Sequence, residues 1–206
     1  MSEEVRSRVT AERYDAVIIG AGPAGIFAAI ELMRSRPGTR LLLVERGKPI
    51  AHRHCPARTT SCVKCPTCAI MTGWGGAGAF SDGKLTLSTE VGGWLGDYVG
   101  TEVLEGLIGD SDRIWLEFGA TSQVHGPDAD TATRLVRQAR LAEMRPVPMR
   151  IRHIGSDRSP AVLEAMHTYL VAAGVEVRTG VAATTIRARD GRVEAVELSD
   201  GTVAHT

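Results

Sequence analysis

A glycine-rich turn between an apolar run and a helical pattern is the strongest constraint that this sequence places on its fold. The turn has the spacing G-x-G-x-x-G and consists of Gly20, Ala21, Gly22, Pro23, Ala24 and Gly25. The apolar run at 14–19 predicts a buried strand before the turn, and residues 23 to 34 predict a helix after it. A second apolar run, at 41–44, completes a β–α–β unit.

Each glycine of this turn has a separate role in a dinucleotide site. Gly20 allows the tight turn, Gly22 lets the backbone approach a pyrophosphate, and Gly25 lets the helix pack on the strand. The helix N-terminus, which includes Pro23 and Ala24, would face the phosphates with its unpaired N–H groups. The pattern therefore predicts dinucleotide binding, and its alternative is an incidental glycine turn.

An acidic residue at the end of the second strand supports this prediction. Glu45 lies twenty residues beyond Gly25, where a carboxylate can accept hydrogen bonds from both hydroxyls of an adenosine ribose. The same carboxylate would repel a 2′-phosphate, so FAD or NAD is expected rather than NADP. Taken alone, Glu45 is also compatible with an ordinary carboxylate at a strand end.

Composition excludes several function classes. The chain has 206 residues, of which 24 are basic and 24 acidic, and 43% are hydrophobic. This neutral balance argues against binding to nucleic acids or membrane surfaces, which usually requires an excess of positive charge. The longest aliphatic run, at 41–44, is too short to span a bilayer. The charged N-terminus does not match a secretory signal, so a reducing cytoplasmic location is expected.

The remaining sequence divides the chain into successive regions. Residues 1–13 are predicted to be flexible, and 14–206 to form one domain that is incomplete at its C-terminus. Its predicted parts are the dinucleotide unit 14–48, a Cys/Gly-rich loop at 49–93, a mostly helical insertion at 94–154 and a helix–strand–hairpin region at 155–206. Asp190 and Gly191 are the predicted turn of that hairpin.

The order of these regions resembles the FAD domain of glutathione-reductase-like flavoproteins, which have two dinucleotide-binding domains. In this resemblance, Glu45 and Arg46 match the acid and arginine that follow the second strand. Residues 174–198 match the later strand and meander, which implies that the adenine meets the backbone near Ala183. The implied fold class is α/β, a Rossmann-like FAD-binding domain with a parallel sheet, a Cys/Gly-rich insertion and a C-terminal antiparallel hairpin.

A closer resemblance rests on the stretch GWGGAGAFSDGKL at 73–85, together with 92–95 and 153–158. It is similar to an uncharacterised bacterial family of FAD-dependent dehydrogenases, and the likeness covers 14–206. The glycines of this stretch predict a nest of backbone N–H groups for a pyrophosphate or a flavin edge, with a flexible loop as the alternative. The residues concerned are Gly75, Gly76, Ala77 and Gly78. Family members are longer, which implies that this chain corresponds to their N-terminal portion.

Four cysteines fall within fourteen residues. They are Cys55, Cys62, Cys65 and Cys68, with the spacing C-x6-C-x2-C-x2-C. The consecutive C-x2-C steps suit a [4Fe–4S] cluster with Cys55 as the fourth ligand. Cys65 and Cys68 also form a C-x-x-C, as in redox dithiols. Structural zinc and unligated thiols are the remaining interpretations.

Together these features predict an FAD-dependent oxidoreductase that acts on a small-molecule substrate or an electron carrier, with the cysteines as electron relay or dithiol. NAD(P)H is a candidate electron donor. The alternatives are an NAD-dependent or thiol–disulfide oxidoreductase, and a non-catalytic nucleotide-binding module with structural metal. No pattern identifies a catalytic acid or base, since the flavin itself would be the reactive centre.

Overall fold

The predicted β–α–β unit is present in the computed structural model of the protein, which describes residues 12–206. Strands β2 (Ala16–Ile19) and β3 (Leu41–Glu45) pair in parallel, and helix α1 (Pro23–Ser35) connects them. Strand β7 (Glu176–Thr179) pairs in parallel with the other side of β3. All five residues of β3 are buried, as expected for the central strand of a covered parallel sheet.

Local sequence explains where α1 begins and which face it buries. Gly22 precedes the helix in an extended conformation, and Pro23 occupies the first turn, where its missing N–H costs nothing. The buried residues are spaced three and four apart, so they share one face of the helix. They are Ile26, Ala29, Ile30 and Met33.

A second sheet contains the predicted hairpin. Its strand order is β1-β10-β9-β8, where β1 is Glu12–Arg13, and β8 (Ala183–Arg189), β9 (Arg192–Leu198) and β10 (Val203–His205) are antiparallel. Asp190 and Gly191 connect β8 to β9, and both have positive φ angles, as a two-residue hairpin turn of this twist requires. The predicted α/β class, with a parallel sheet and a C-terminal antiparallel hairpin, is confirmed.

The last two residues of the predicted flexible lead-in, 1–13, form a short strand. Residues 1–11 lie outside the described residues, but β1 (Glu12–Arg13) pairs in parallel with β10. Tyr14, directly after β1, is buried in a core that both sheets contribute to. The other buried members of that core are Leu42, Val44, Val196, Leu198 and Ala204. Burial of Tyr14 in this apolar core holds the chain next to β10, the strand with which β1 pairs.

The chain separates into two compact units. The first extends to Ala79 and resumes at Leu163–Thr206, and the second is Phe80–Val162, a wider segment than the predicted insertion at 94–154. The first unit contains a short 3-10 helix at Ile50–His52. Two further elements belong partly to each unit, a 3-10 helix at Ala77–Phe80 and helix α5 (Ser159–Ala172). Among residues 12–206, no helix combines the length and apolarity needed to cross a bilayer.

The second unit has its own antiparallel sheet and three helices. The sheet has the order β4-β6-β5, formed by β4 (Lys84–Thr86), β5 (Val124–His125) and β6 (Ile151–His153). The helices are α2 (Leu95–Val99), α3 (Thr101–Glu117) and α4 (Ala129–Leu141). No residue of α4 is buried; Ala132, Val136 and Ala139 are half-buried, and Leu135 and Leu141 are exposed.

A partly buried ion pair connects β6 to α3 within this unit. Arg152 donates to both carboxylate oxygens of Asp112, at 2.5 and 2.7 Å, and to the carbonyl of Thr121 at 2.6 Å. Hydrogen bonding to Asp112 raises the pKa of Arg152, so this arginine stays charged. The pair borders a cavity of about 460 Å³.

The contact between α1 and the glycine turn makes a clear stability prediction. A Cβ at Gly25 would lie 2.0 Å from the carbonyl oxygen of Gly20, so one of the two backbones must shift. We expect Gly25→Ala to destabilise the protein by about 3 kcal/mol, measured by chemical denaturation. Helix propensity alone predicts the opposite sign.

Ala28→Gly, at an exposed position of the same helix, is the matched control. This substitution removes a methyl group instead of adding one, at a position without a close backbone contact. It is expected to lower the free energy of unfolding by about 0.5–1 kcal/mol. A Gly25→Ala protein as stable as the wild type would contradict the observed helix–turn packing.

Candidate functional site

A cavity of about 310 Å³ lies at the carboxyl ends of β2 and β3. We call it the strand-end cavity. It is lined by Ile19, Gly20, Gly22, Val44, Glu45, Arg46, Met71, Thr72, Gly76, Ala182 and Ala183. In open parallel sheets, ligands bind beyond the carboxyl ends of the strands, so the position itself marks this cavity as a candidate site.

The carboxylate of Glu45 lies in the cavity wall and accepts from three backbone N–H groups. Its Oε2 accepts from the N–H of Ala21 at 2.9 Å, and its Oε1 accepts from the N–H groups of Gly47 and Gly73 at 2.7 and 2.9 Å. The residue is 7% exposed, so these bonds replace most of its hydration. A carboxylate has about four acceptor positions, which leaves one for a ligand.

The glycine turn presents an open position toward the cavity. A Cβ at Gly22 would meet no protein atom within 4 Å, although this residue lines the cavity. Gly20 has a φ of +103°, a conformation that residues with a side chain rarely adopt. A phosphate-binding turn needs open space beside one glycine and a positive φ at another, and Gly22 and Gly20 provide these two properties.

The glycine-rich stretch at 73–85, which we call the second glycine stretch, contributes differently from its prediction. The N–H of Gly75 donates to the carbonyl of Ala21 at 2.8 Å, and the N–H of Gly76 donates to the carbonyl of Gly73 at 2.8 Å. The predicted nest of N–H groups is therefore wrong for these two residues, because both groups already have protein acceptors. Gly76 still lines the cavity, and a Cβ there would lie 3.1 Å from the Cα of Gly22. The stretch thus packs against the glycine turn.

A buried arginine that sequence reasoning missed supports this second stretch. Arg53 is 3% exposed, and its guanidinium donates to four main-chain carbonyls. The acceptors are Ala69 at 2.9 Å, Ile70 at 2.8 Å, Trp74 at 2.7 Å and Gly76 at 2.8 Å. Burial lowers the pKa of Arg53, and the charges of Glu45 and Cys68 oppose that shift. No local pattern distinguishes this arginine from a solvated one.

The structure brings only part of the predicted nucleotide site to the cavity. Six predicted residues line it: Gly20, Gly22, Glu45, Arg46, Gly76 and Ala183. The other predicted positions lie outside the lining, and they are Pro23, Ala24, Gly25, Gly75, Ala77 and Gly78. Met71 and Thr72 were missed because their segment was interpreted only through its cysteines and glycines.

The cysteines are free thiols, and Cys62 and Cys68 are exposed. Within residues 12–206, no three His, Cys, Asp or Glu side chains are grouped so as to hold a metal ion. This arrangement does not fit the predicted [4Fe–4S] or zinc site. The N–H groups of Met71 and Ile70 bond to Cys68 and lower the pKa of its thiol, and the charge of Arg53 acts in the same direction.

No protein-family model matches this chain. An uncharacterized protein from Clostridium beijerinckii is 37% identical over 91 residues, which are 41% of this chain and 16% of that protein. The chain therefore spans a small part of this curated relative.

Solved structures with a similar fold include three enzymes. A 3-ketosteroid-Δ4-(5α)-dehydrogenase from Rhodococcus jostii has a TM-score of 0.58 at 16% identity, over 100% of this chain and 46% of its own. Glycine oxidase from Bacillus cereus has a TM-score of 0.51 at 13% identity, over 94% of this chain and 53% of its own.

The third is L-amino acid deaminase from Proteus myxofaciens, with a TM-score of 0.50 at 15% identity. The match covers 95% of this chain and 44% of the deaminase. This chain therefore spans about half the length of the three enzymes. At identities this low, the matches show a shared fold and nothing more. Membership of the glutathione-reductase-like group stays a prediction.

Replacing the Glu45 carboxylate should destabilise the protein even without a ligand. The Glu45 carboxylate accepts hydrogen bonds from three N–H groups. In Glu45→Gln, the amide NH₂ would face at least one of these N–H groups, so two donors would meet without an acceptor. We expect a loss of about 1–3 kcal/mol in chemical denaturation of the ligand-free protein. Glu194→Gln, at an exposed position of β9, is the control and should change stability little. Equal stability of the two variants would contradict the structural role of Glu45.

Cys68 should be the first cysteine to react with iodoacetamide as pH rises. A lowered pKa means that more of this thiol is thiolate at a given pH, and the thiolate is the nucleophile. The measurement is the labelling rate of each cysteine between pH 6 and 9, by peptide mass spectrometry. The rate at Cys68 should rise at the lowest pH, and Cys68→Ser should remove the fastest phase. A fastest phase at another cysteine would contradict this expectation.

Proposed function

We propose that this chain forms the nucleotide-binding part of a flavin-dependent oxidoreductase, with FAD as its cofactor. The observation that carries the proposal is the meeting of Gly20, Gly22 and Glu45 in one cavity at the carboxyl ends of two parallel strands. A glycine turn before a helix and an acid after the next strand are the two contacts that a dinucleotide requires. The resemblance of 73–85 to bacterial FAD-dependent dehydrogenases supports a flavin.

In this proposal the chain binds the ADP half of the cofactor. The N-terminus of α1, preceded by Gly22, faces the diphosphate with its N–H groups and partial positive charge. The remaining acceptor position of Glu45 takes a ribose hydroxyl, and the adenine lies beside Ala182 and Ala183. A volume of about 310 Å³ is at the lower end of small-molecule sites, which suits half of a dinucleotide.

The bound flavin supplies two-electron redox chemistry, and the protein supplies orientation and electrostatics. The similar enzymes are, by name, a dehydrogenase, an oxidase and a deaminase, and only the general class of oxidoreductase is carried over to this chain. The proposed substrate is a small molecule or an electron carrier, with NAD(P)H as a candidate electron donor. The chain spans about half of these enzymes, so turnover is proposed for the whole protein.

For the cysteines we favour a dithiol over an iron–sulfur cluster. Cys65 and Cys68 are three residues apart and both are free thiols, and Cys68 has the lowered pKa of a reactive thiol. Such a pair releases two electrons and two protons when it forms a disulfide. The proposed location is the reducing cytoplasm, where the pair would be kept as thiols.

The deciding experiment compares nucleotide binding by the wild type and by Gly22→Val. A Cβ at Gly22 meets no protein atom within 4 Å, so this substitution should fill ligand space without disturbing the fold. We expect FAD and ADP to bind the purified wild-type chain in calorimetric titrations. Gly22→Val should lower the affinity for FAD and for ADP by about tenfold to a hundredfold.

Gly106→Ala is the control, because Gly106 lies in α3 and a Cβ there also meets no atom within 4 Å. It should bind as the wild type does. A folded wild-type chain that binds neither FAD nor ADP would overturn the proposal. Binding of NAD⁺ without binding of FAD would overturn the flavin assignment.

A further inference from the structure

Arg53 is a buried cation whose guanidinium points at backbone rather than at solvent. It is 3% exposed, and four main-chain carbonyls accept its N–H groups. Burying a full charge is costly, and each carbonyl that accepts from the guanidinium offsets part of that cost. These bonds hold Arg53 against the backbone at 69–76, a segment that includes three residues of the cavity wall, Met71, Thr72 and Gly76.

A chain of hydrogen bonds leads from this guanidinium to the glycine turn. Arg53 Nη1 donates to the carbonyl of Trp74 at 2.7 Å. The N–H at the other end of that peptide group, on Gly75, donates to the carbonyl of Ala21 at 2.8 Å. The N–H at the far end of the Ala21 peptide group belongs to Gly22, which lines the strand-end cavity.

These two peptide groups are aligned so that each strengthens the next. In a trans peptide the C=O and N–H point in opposite directions, so both dipoles have their positive ends away from Arg53. The positive end of the second dipole is the N–H of Gly22, a residue of the cavity wall. Hydrogen-bonded groups in series polarise one another, and a buried charge is screened weakly by salt. The Gly22 N–H therefore carries part of the field of Arg53 to the place where a phosphate would bind.

The same guanidinium also fixes the position of the second glycine stretch. Its Nη1 donates to the carbonyl of Gly76 at 2.8 Å, and Gly76 packs against Gly22 so closely that a Cβ would lie 3.1 Å from the Gly22 Cα. In addition, the positive charge of Arg53 offsets that of Glu45, whose carboxylate would otherwise repel a diphosphate in the same cavity.

From this geometry we infer that Arg53 is a positioning residue for the diphosphate of the bound nucleotide, acting through the peptide groups of Trp74–Gly75 and Ala21–Gly22. The inference rests on the proposed nucleotide site. It identifies the diphosphate, rather than the adenosine, as the part of the ligand that depends on Arg53. Replacing an arginine with a purely structural role would weaken the binding of the diphosphate and of the adenosine equally.

The test compares the affinities for ADP and adenosine, measured by calorimetry on the 206-residue chain. In Arg53→Gln the charge is lost while one side-chain amide remains to bond a carbonyl. We expect ADP binding to weaken by about tenfold and adenosine binding to change by less than about twofold. Arg192→Gln, which removes an exposed charge from β9, should leave both affinities unchanged.

Arg53→Lys keeps the charge but cannot hold all four carbonyls, and it remains informative where Arg53→Gln does not fold. Its preference for ADP over adenosine should stay within about twofold of the wild type, even where both bind more weakly. An equal loss of ADP and adenosine affinity in folded Arg53→Gln would overturn the inference. Loss of the ADP preference in folded Arg53→Lys would do so as well.

The outcomes separate this inference from the proposal on which it rests. A wild-type chain that binds neither ADP nor FAD would overturn the proposed function itself. A wild-type chain that binds ADP, with an unchanged ratio of ADP to adenosine affinity in Arg53→Gln, would overturn only the role of Arg53.

Discussion

The buried carboxylate of Glu45 is the interaction on which the rest of the first unit depends. A carboxylate removed from water must find donors, and here all three are backbone N–H groups from different parts of the chain. Ala21 belongs to the glycine turn, Gly47 to the exit from β3, and Gly73 to the second glycine stretch. Satisfying one side chain therefore forces three segments to meet at the end of β3, and their meeting point is the cavity wall.

The backbone around the cavity serves two buried charges of opposite sign at once. Glu45 requires N–H groups and receives one from Gly73, whereas Arg53 requires carbonyls and receives those of Trp74 and Gly76. Presenting donors and acceptors to opposite sides within four residues demands unusual backbone angles. Gly73, Gly75 and Gly76 all have positive φ, which explains why this stretch is rich in glycine. Its glycines serve backbone geometry before any ligand is considered.

The accuracy of the sequence predictions follows the range of the interactions behind them. The β–α–β unit and the Asp190–Gly191 hairpin were predicted because periodicity, helix-start residues and turn residues are local signals. β1 and Arg53 were missed because both depend on distant partners, the first on β10 and the second on carbonyls at 69–76. Likewise, the spacing of the second glycine stretch predicted free N–H groups, but Ala21 and Gly73 supply acceptors for them.

The loop that contains the four cysteines is connected to the strand-end cavity through the same arginine. The carbonyls of Ala69 and Ile70 accept from Arg53, and the N–H groups of Ile70 and Met71, at the other ends of these peptide groups, lower the pKa of the Cys68 thiol. Arg53 thus closes the loop that contains all four cysteines, and Met71, just beyond it, lines the cavity. A change of charge at Cys68 acts on peptide groups that Arg53 already polarises. The proposed dithiol and the proposed diphosphate contact would therefore both depend on Arg53, which lowers the pKa of Cys68 and bonds to the carbonyl of Gly76 in the cavity wall.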